Sequence, residues 1–82
     1  MTDTDAILRD FDADEESFTF NFTADGDEWW RALDFLKDGI PANERSWNPD
    51  DKLWTVKRTQ ANEDELRQIF ANGECCILRA GQ

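Results

Sequence analysis

The stretch IPANERSWNPDDKLWTV at positions 40–56 decides the fold. Proline presets φ at the second position of a β-turn, and Asn48 suits the first position, directly before Pro49. We therefore expect a β-hairpin with strands near residues 44–48 and 52–58.

The turn also sets which residues of the hairpin face each other. If Asn48 pairs with Leu53, Trp47 lies directly opposite Trp54, and cross-strand aromatic pairs of this kind stabilise hairpins. Trp54 shares a face with Val56, so both are expected in the core. Trp47 lies nearer the turn and is either a packing residue or a half-exposed platform on which a base stacks.

A strand and a helix are expected before the hairpin. Ser17–Thr23 alternates phenylalanine with polar residues, which indicates a strand with one wet face. The helix begins in the acidic run at residues 25–28, where the helix dipole favours carboxylates, and Gly39 ends it before Pro41. Its apolar stripe comprises Trp29, Leu33, Leu36 and Ile40. Trp30 and Phe35 lie outside this stripe, so one of them should remain exposed.

A second helix and a last strand are expected after the hairpin. The spacing of Asn62–Glu65 resembles a capping box, and Asn72 with Gly73 ends the helix. Residues 75–78 form a short apolar strand. The resulting β-α-β-β-α-β order is the ferredoxin-like split βαβ pattern of an α+β, two-layer domain spanning residues 17–80. Both helices would cover one sheet face and leave the other open.

Residues 1–16 are expected to form a flexible acidic arm that is disordered or loosely docked. Residues 1–28 contain ten acidic residues and one arginine, whereas residues 29–82 contain nine acidic and eight basic residues. The arm is either a solubilising tail or a functional surface. The first residues lack the basic and apolar regions of a signal peptide, so a cytoplasmic protein without membrane attachment is expected.

The sequence offers no residue set that specifies a reaction. The chain contains no histidine, which removes the commonest general base and metal ligand. Cys75 and Cys76 are adjacent and lack the spacing of a zinc site. The acids at residues 10–16 alternate as in a calcium loop but lack its glycine and terminal glutamate. We therefore expect a non-enzymatic binding protein with no metal, cofactor or small-molecule substrate.

Three segments of the chain resemble the HARP-type module that accompanies annealing helicases and other DNA-remodelling proteins. These segments are FLKDGIP at residues 35–41, RSWNP at 45–49 and KLWTV at 52–56, and the likeness covers roughly residues 18–70. In that family the module supports recognition of forked or branched DNA. The resemblance implies a nucleic-acid contact through the hairpin at residues 44–58. The candidate contact residues are Arg45, Trp47, Lys52, Lys57 and Arg58.

Two functions follow from these observations. The first is a DNA-processing accessory module that contacts nucleic acid or a DNA-remodelling protein through the hairpin. The second is an acidic inhibitor that blocks a partner's basic nucleic-acid-binding groove as a DNA mimic, as small phage-encoded proteins often do. Its candidate partner-binding residues are Asp25, Asp27, Glu28, Trp30, Asp34 and Phe35. A mimic requires carboxylates fixed on folded elements, whereas a solubilising tail leaves them mobile.

Overall fold

The computed structural model describes residues 3–80. Within this range, four strands and three α-helices follow one another, with a short 3₁₀ turn at Ala42–Glu44. Their bounds are β1 (Ile7–Ala13), β2 (Ser17–Thr23), α1 (Asp27–Gly39), β3 (Arg45–Asn48), β4 (Leu53–Lys57), α2 (Gln60–Ile69) and α3 (Gly73–Ala80). The strands form one antiparallel sheet in the order β1-β2-β4-β3, so the protein is an α+β domain.

The β3–β4 hairpin has the register that its turn predicts. Trp47 pairs with Trp54, and Asn48 pairs with Leu53. The Asn48 side chain closes the turn, because its Oδ1 accepts the backbone N–H groups of Asp50 at 3.0 Å and Asp51 at 3.3 Å. Such local bonds are why asparagine favours the first position of a turn. The predicted hairpin is therefore confirmed.

The core lies between the sheet and the helices, and β2 runs through its centre. Phe18, Phe20 and Phe22 are all buried, as the alternation of this strand predicts. The buried ring of Phe70, which follows α2, lies with its centroid 5.9 Å from that of Phe20 and 5.2 Å from that of Phe22. Trp29 of α1 stacks on Phe22 at 5.5 Å. The helices therefore cover the face of the sheet on which these three phenylalanines lie. The opposite face, which carries the threonines of β2, remains open.

The acidic arm expected at residues 1–16 is not confirmed, because residues 7–13 form the edge strand β1 beside β2. A β-bulge explains why the alternation of β1 is hidden in the sequence. The pairing shifts between Arg9 and Asp12, and Asp10 takes a φ of 53°. The extra residue allows both Leu8, which is buried, and Phe11, which packs against the core, to face inward although they are three positions apart.

The observed order β-β-α-β-β-α-α also differs from the expected one at the C-terminal end. Residues 75–78 belong to helix α3 and not to a strand. Four consecutive apolar residues carry no period that separates a strand from a helix. In the structure Ile77 is buried and Leu78 is exposed, so only one face of this segment packs on the core. The ferredoxin-like pattern is therefore replaced by a sheet in which β1 occupies the edge next to α3.

Helix α2 begins three residues earlier than the capping box at residues 62–65 suggests. Thr59 is its N-cap, and the Thr59 side chain accepts the backbone N–H of Asn62. Asn62 is buried instead of capping the helix. Its Nδ2 donates to the backbone oxygen of Lys57 at 2.8 Å and to Oε1 of Glu44 at 3.2 Å. Asn62 thus ties α2 to β4 and to the 3₁₀ turn.

Asn72 fastens the loop between α2 and α3 to the outer edge of β1. Its Oδ1 accepts the backbone N–H of Leu8 at 2.7 Å, and its Nδ2 donates to the backbone oxygen of Leu8 at 3.2 Å. The backbone N–H of Ala71 donates to the oxygen of Ala6. The Asn72 side chain therefore makes the backbone hydrogen bonds that a further strand would make at the edge of β1.

Replacing Asn72 by alanine is expected to destabilise the protein by about 1–3 kcal/mol, because two backbone groups of Leu8 lose their partners. Denaturant unfolding followed by circular dichroism measures this loss. Asn43→Ala is the matched control, since Asn43 is exposed and its side chain makes no hydrogen bond within residues 3–80. Equal stability of the two variants would contradict the role assigned to Asn72.

Candidate tryptophan-lined interface

An open groove lies between α1 and the β3–β4 hairpin. Its volume is about 310 Å³, and its lining consists of Trp29, Leu33, Lys37, Trp47 and Trp54. We call these five residues the tryptophan groove. The lining is predominantly apolar, and the Lys37 ammonium is its charged group. An apolar concavity with few polar groups is typical of a recognition site.

Two local patterns build the groove from the sequence. The three groove residues of α1 are spaced four apart, and residues four apart lie on the same side of a helix. On the sheet, Trp54 pairs with the buried residue Phe20, so Trp54 and its partner Trp47 project toward the helices. Because β3 is the edge strand, the groove opens to solvent beside Trp47.

The tryptophans form two ring pairs, one on each side of the groove. The centroids of Trp47 and Trp54 are 5.3 Å apart, and those of Trp29 and Trp30 are 4.9 Å apart with perpendicular rings. Trp54 and Trp29 are half-buried, whereas Trp47 is 45% exposed and Trp30 is 62% exposed. Each pair thus has one ring anchored against the core and one ring in solvent.

Acidic side chains outnumber basic ones around the exposed rings. Asp27 and Asp34 lie three residues before and four residues after Trp30, which places them on its side of α1, and both are exposed. The hairpin turn contributes exposed Asp50 and Asp51. The cations of these two elements are Lys37, Lys52 and Arg31, and Arg31 is paired with Glu28 at 2.9 Å. The rim of the groove therefore carries a net negative charge.

The hairpin residues that the HARP-type resemblance implicates do not share one surface. Trp47 and Arg45 project toward the helices, whereas Lys57 pairs with Ser17 on the open sheet face. Lys52 lies in the turn at the other end of the hairpin with a φ of 57°. The structure brings Trp47 and Lys52 near one another and separates both from Lys57.

Two of those cations also have internal partners. Arg45 Nε donates to the backbone oxygen of Ile40 at 3.0 Å. Arg58 Nη1 donates to the backbone oxygen of Asp14 at 2.6 Å, and its guanidinium lies 5.4 Å from the centre of the Phe18 ring. Both arginines hold loops of the fold in place. Each arginine would therefore have to break these internal interactions before its side chain could contact a phosphate.

The residues considered for a protein partner divide between two sides of α1. Trp30 and Asp34 lie beside the tryptophan groove, near exposed Asp27 and Asp25. Phe35 is half-buried on the opposite side of the helix.

Glu28 is engaged locally, because its Oε1 lies 2.9 Å from Arg31 Nη1 and its Oε2 accepts the backbone N–H of Asp5 at 3.3 Å. The sequence predicted that either Trp30 or Phe35 would be exposed, and the structure shows that it is Trp30. The facing set of Trp29, Leu33 and Lys37 was missed. The spacing of these three residues by four positions indicates that they share one side of α1. Their position opposite the hairpin could not be predicted from it, because that position depends on how α1 packs.

The acids between β1 and β2 are held in a hydrogen-bonded turn. Asp14 Oδ1 accepts the backbone N–H groups of Glu16 at 2.8 Å and Ser17 at 2.7 Å. The backbone N–H of Arg58 donates to the oxygen of Glu16, which ties this turn to the end of β4. The bonds from Glu16 and then Ser17 lower the pKa of Asp14 below its ordinary value of 3.8. The Asp14 carboxylate is therefore part of the folded turn between β1 and β2.

The lowered pKa of Asp14 predicts an acid-dependent loss of stability. The charged form is favoured by folding, so its contribution is present above pH 3.8, the ordinary value, and is lost as pH falls through the folded pKa. Asp14→Ala should therefore be less stable than the unmodified protein at pH 6, and the difference should shrink below pH 3.8. Urea unfolding at several pH values measures it. Glu15→Ala, which removes the same charge from the same turn, should cost less stability at pH 6.

Other features of the described chain add no chemistry. Residues 3–80 contain no group of three or more cysteine and acidic side chains arranged to hold a metal ion. Cys75 and Cys76 are free thiols, and burial raises the pKa of Cys76, which disfavours its reactive thiolate. Over the same residues, no helix has both the length and the apolar character that crossing a membrane requires.

Comparison of the chain with protein-family models, curated proteins and solved structures gives no match. The resemblance to the HARP-type module therefore stays a prediction based on the short hairpin and helix segments described above.

Proposed function

We propose that this protein is a non-enzymatic binding module that docks the tryptophan groove, together with the acidic side of α1, on a basic segment of a protein partner. The observation that carries the proposal is the exposure of Trp30 and Trp47 on either side of an apolar groove. Tryptophans often supply much of the binding energy of protein interfaces, especially where surrounding contacts exclude water from them. An exposed apolar patch with a polar rim is a common sign of such a surface.

The charge of the protein supports a basic partner. The whole chain has a formal charge of −10, and the rim of the groove is itself negative. Complementary charge accelerates encounter and selects among partners. An acidic module would therefore associate with lysine-rich or arginine-rich protein surfaces and be repelled by nucleic acid.

The folded position of the acids supports an inhibitor that acts as a DNA mimic. Asp27 and Asp34 are carried on helix α1, so the carboxylates beside Trp30 are held on a folded element and not on a mobile tail. Fixed carboxylates are what a mimic needs to occupy a groove that otherwise holds phosphates. The proposed partner is thus a protein with a basic nucleic-acid-binding groove.

Direct contact with nucleic acid through the hairpin is a second candidate function. The observation in its favour is the exposed Trp47 ring close to exposed Lys52, since an exposed ring beside a cation can stack a base near a phosphate. The internal hydrogen bonds of Arg45 and Arg58 leave fewer cations for phosphates. Binding by this route would be weak and would decrease as salt rises.

Fluorescence anisotropy separates the two candidates. The probes are a labelled arginine-rich peptide and labelled single-stranded, duplex and forked DNA, each at low and moderate salt. The proposal predicts binding of the peptide and of none of the DNA probes. Binding of DNA that is abolished by Lys52→Glu would instead support the second candidate.

Matched charge variants show whether the peptide binds at the groove. Asp27→Asn with Asp34→Asn removes two charges beside Trp30, whereas Asp10→Asn with Asp12→Asn removes two at β1, the opposite edge of the sheet. Only the first pair should weaken binding, by about fivefold or more for charges close to a bound cation. Equal weakening by both pairs would indicate attraction by net charge alone and contradict the proposal.

A further inference from the structure

The two edges of the sheet differ in how open they are. At β1 the bulge at Asp10 breaks the ladder, and Asn72 and Ala71 already bond to the outer backbone. At β3 the pairing with β4 is regular over all four residues from Arg45 to Asn48. Bulges and covering loops protect sheet edges from further pairing, whereas a regular uncovered edge invites it. Among residues 3–80, β3 is therefore the edge that can accept another strand.

A strand added to β3 would lie at the mouth of the tryptophan groove. Neighbouring strands are about 4.8 Å apart, and their side chains alternate between the two faces. Every second side chain of the added strand would then lie on the helix face beside Trp47. Arg45 is the other β3 residue on this face, and its Nε donates to the backbone oxygen of Ile40. The other side chains would lie on the open face beside Ser46, which is exposed.

The acidic groups and the exposed aromatic ring at the mouth of the groove determine which side chain of an added strand would fit there. The exposed ring of Trp47 offers a π-face, and Asp34, Asp50 and Asp51 are the nearby acids on α1 and the turn. An arginine guanidinium stacks on aromatic faces and pairs with carboxylates, and both contacts are available together here. Lys37 in the groove disfavours insertion of the cation deep between the rings, so the guanidinium fits at the exposed rim.

We infer that the partner segment binds as an extended strand added to the outer edge of β3, with arginine side chains on the helix face over Trp47. This inference rests on the proposed function and specifies its binding mode, which is strand addition of the kind that several peptide-recognition domains use. Backbone hydrogen bonds to β3 would supply affinity, and the arginine positions would supply selectivity. Pro49 lacks an N–H and ends the available edge after Asn48.

Backbone methylation of a defined peptide tests this mode without changing the protein. The probe is the acetylated and amidated peptide Thr-Arg-Val-Arg-Val-Arg-Thr, titrated into the full-length chain and followed by tryptophan fluorescence. Two further versions carry N-methyl groups either on the three arginines or on the two valines. In a strand, the N–H groups of these two sets point to opposite edges. One methylated peptide should therefore bind like the parent, while the other should lose at least about tenfold in affinity.

Each outcome has a definite meaning. Equal binding of all three peptides, or equal loss for both methylated versions, would overturn strand addition. If the parent peptide is still weakened by Asp27→Asn with Asp34→Asn in that case, the proposed function stands. If none of the peptides binds, or if the acidic variants make no difference, the proposed function fails as well.

A variant of Trp47 tests the arginine contact separately. Trp47→Leu retains an apolar side chain on the edge strand but removes the π-face, and its effect on the parent peptide should be about a three- to thirtyfold loss. A peptide with glutamate in place of each arginine should not bind either protein. Unchanged affinity in Trp47→Leu would contradict the placement of arginine over this ring.

Discussion

Deletion of residues 1–13 is expected to abolish folding at 25 °C. The deletion removes β1, with buried Leu8 and the partly buried ring of Phe11, and also buried Ala6, which precedes the strand. Loss of several core side chains costs about 2–5 kcal/mol for each large one, while a domain of this size is stable by only about 5–15 kcal/mol in total. Circular dichroism and a proton NMR spectrum would show an unfolded chain.

The alternative explanation for such a result is the loss of acidic charge, and a matched variant excludes it. The quadruple variant that changes Asp3, Asp5, Asp10 and Asp12 to asparagine removes every acid of the deleted segment and keeps the strand. It should remain folded. A deletion variant that melts like the unmodified protein would contradict the position assigned to β1 and restore the expectation of a dispensable arm.

The second large effect is expected at Phe20. This side chain is fully buried in the central strand pair, with its ring 6.4 Å from Phe11 and 5.9 Å from Phe70 between centroids. Phe20→Ala leaves a cavity that its neighbours cannot close, and the expected loss is about 3–5 kcal/mol. Urea unfolding at neutral pH measures it.

Trp47→Ala is the control on the same face of the sheet. Because Trp47 is 45% exposed, its loss should cost about 1 kcal/mol or less and leave the protein folded. A Phe20→Ala protein within about 1 kcal/mol of the unmodified one would contradict the core described above. A severe loss for Trp47→Ala would mean that this ring is a structural residue and not a binding residue.

The elements that could be predicted from the sequence are those whose signals are local. The hairpin was predictable because Asn48 and Pro49 specify the turn and the turn specifies the pairing of Trp47 with Trp54. The alternation of β2 and the stripe of α1 were equally clear. The limited width of a helical apolar face indicated that Trp30 or Phe35 would be exposed, and the structure shows that it is Trp30.

The elements that were missed depend on contacts between distant parts of the chain. The bulge at Asp10 hides the alternation of β1, and the bonds that hold this strand come from Asn72, sixty-four positions away. Residues 75–78 belong to helix α3, which packs against β1 at the sheet edge. The tryptophan groove escaped prediction for the same reason, since it exists only where α1 packs beside the hairpin.

The most direct test of a basic segment docking on the tryptophan groove is an NMR titration of the labelled protein with the parent peptide. The four tryptophans give indole N–H signals that report on both sides of the groove. The predicted result is a shift of the Trp30, Trp47 and Trp54 indole signals together with the backbone amides of β3. Shifts confined to the acidic turn between β1 and β2, with the indole signals unchanged, would contradict the account.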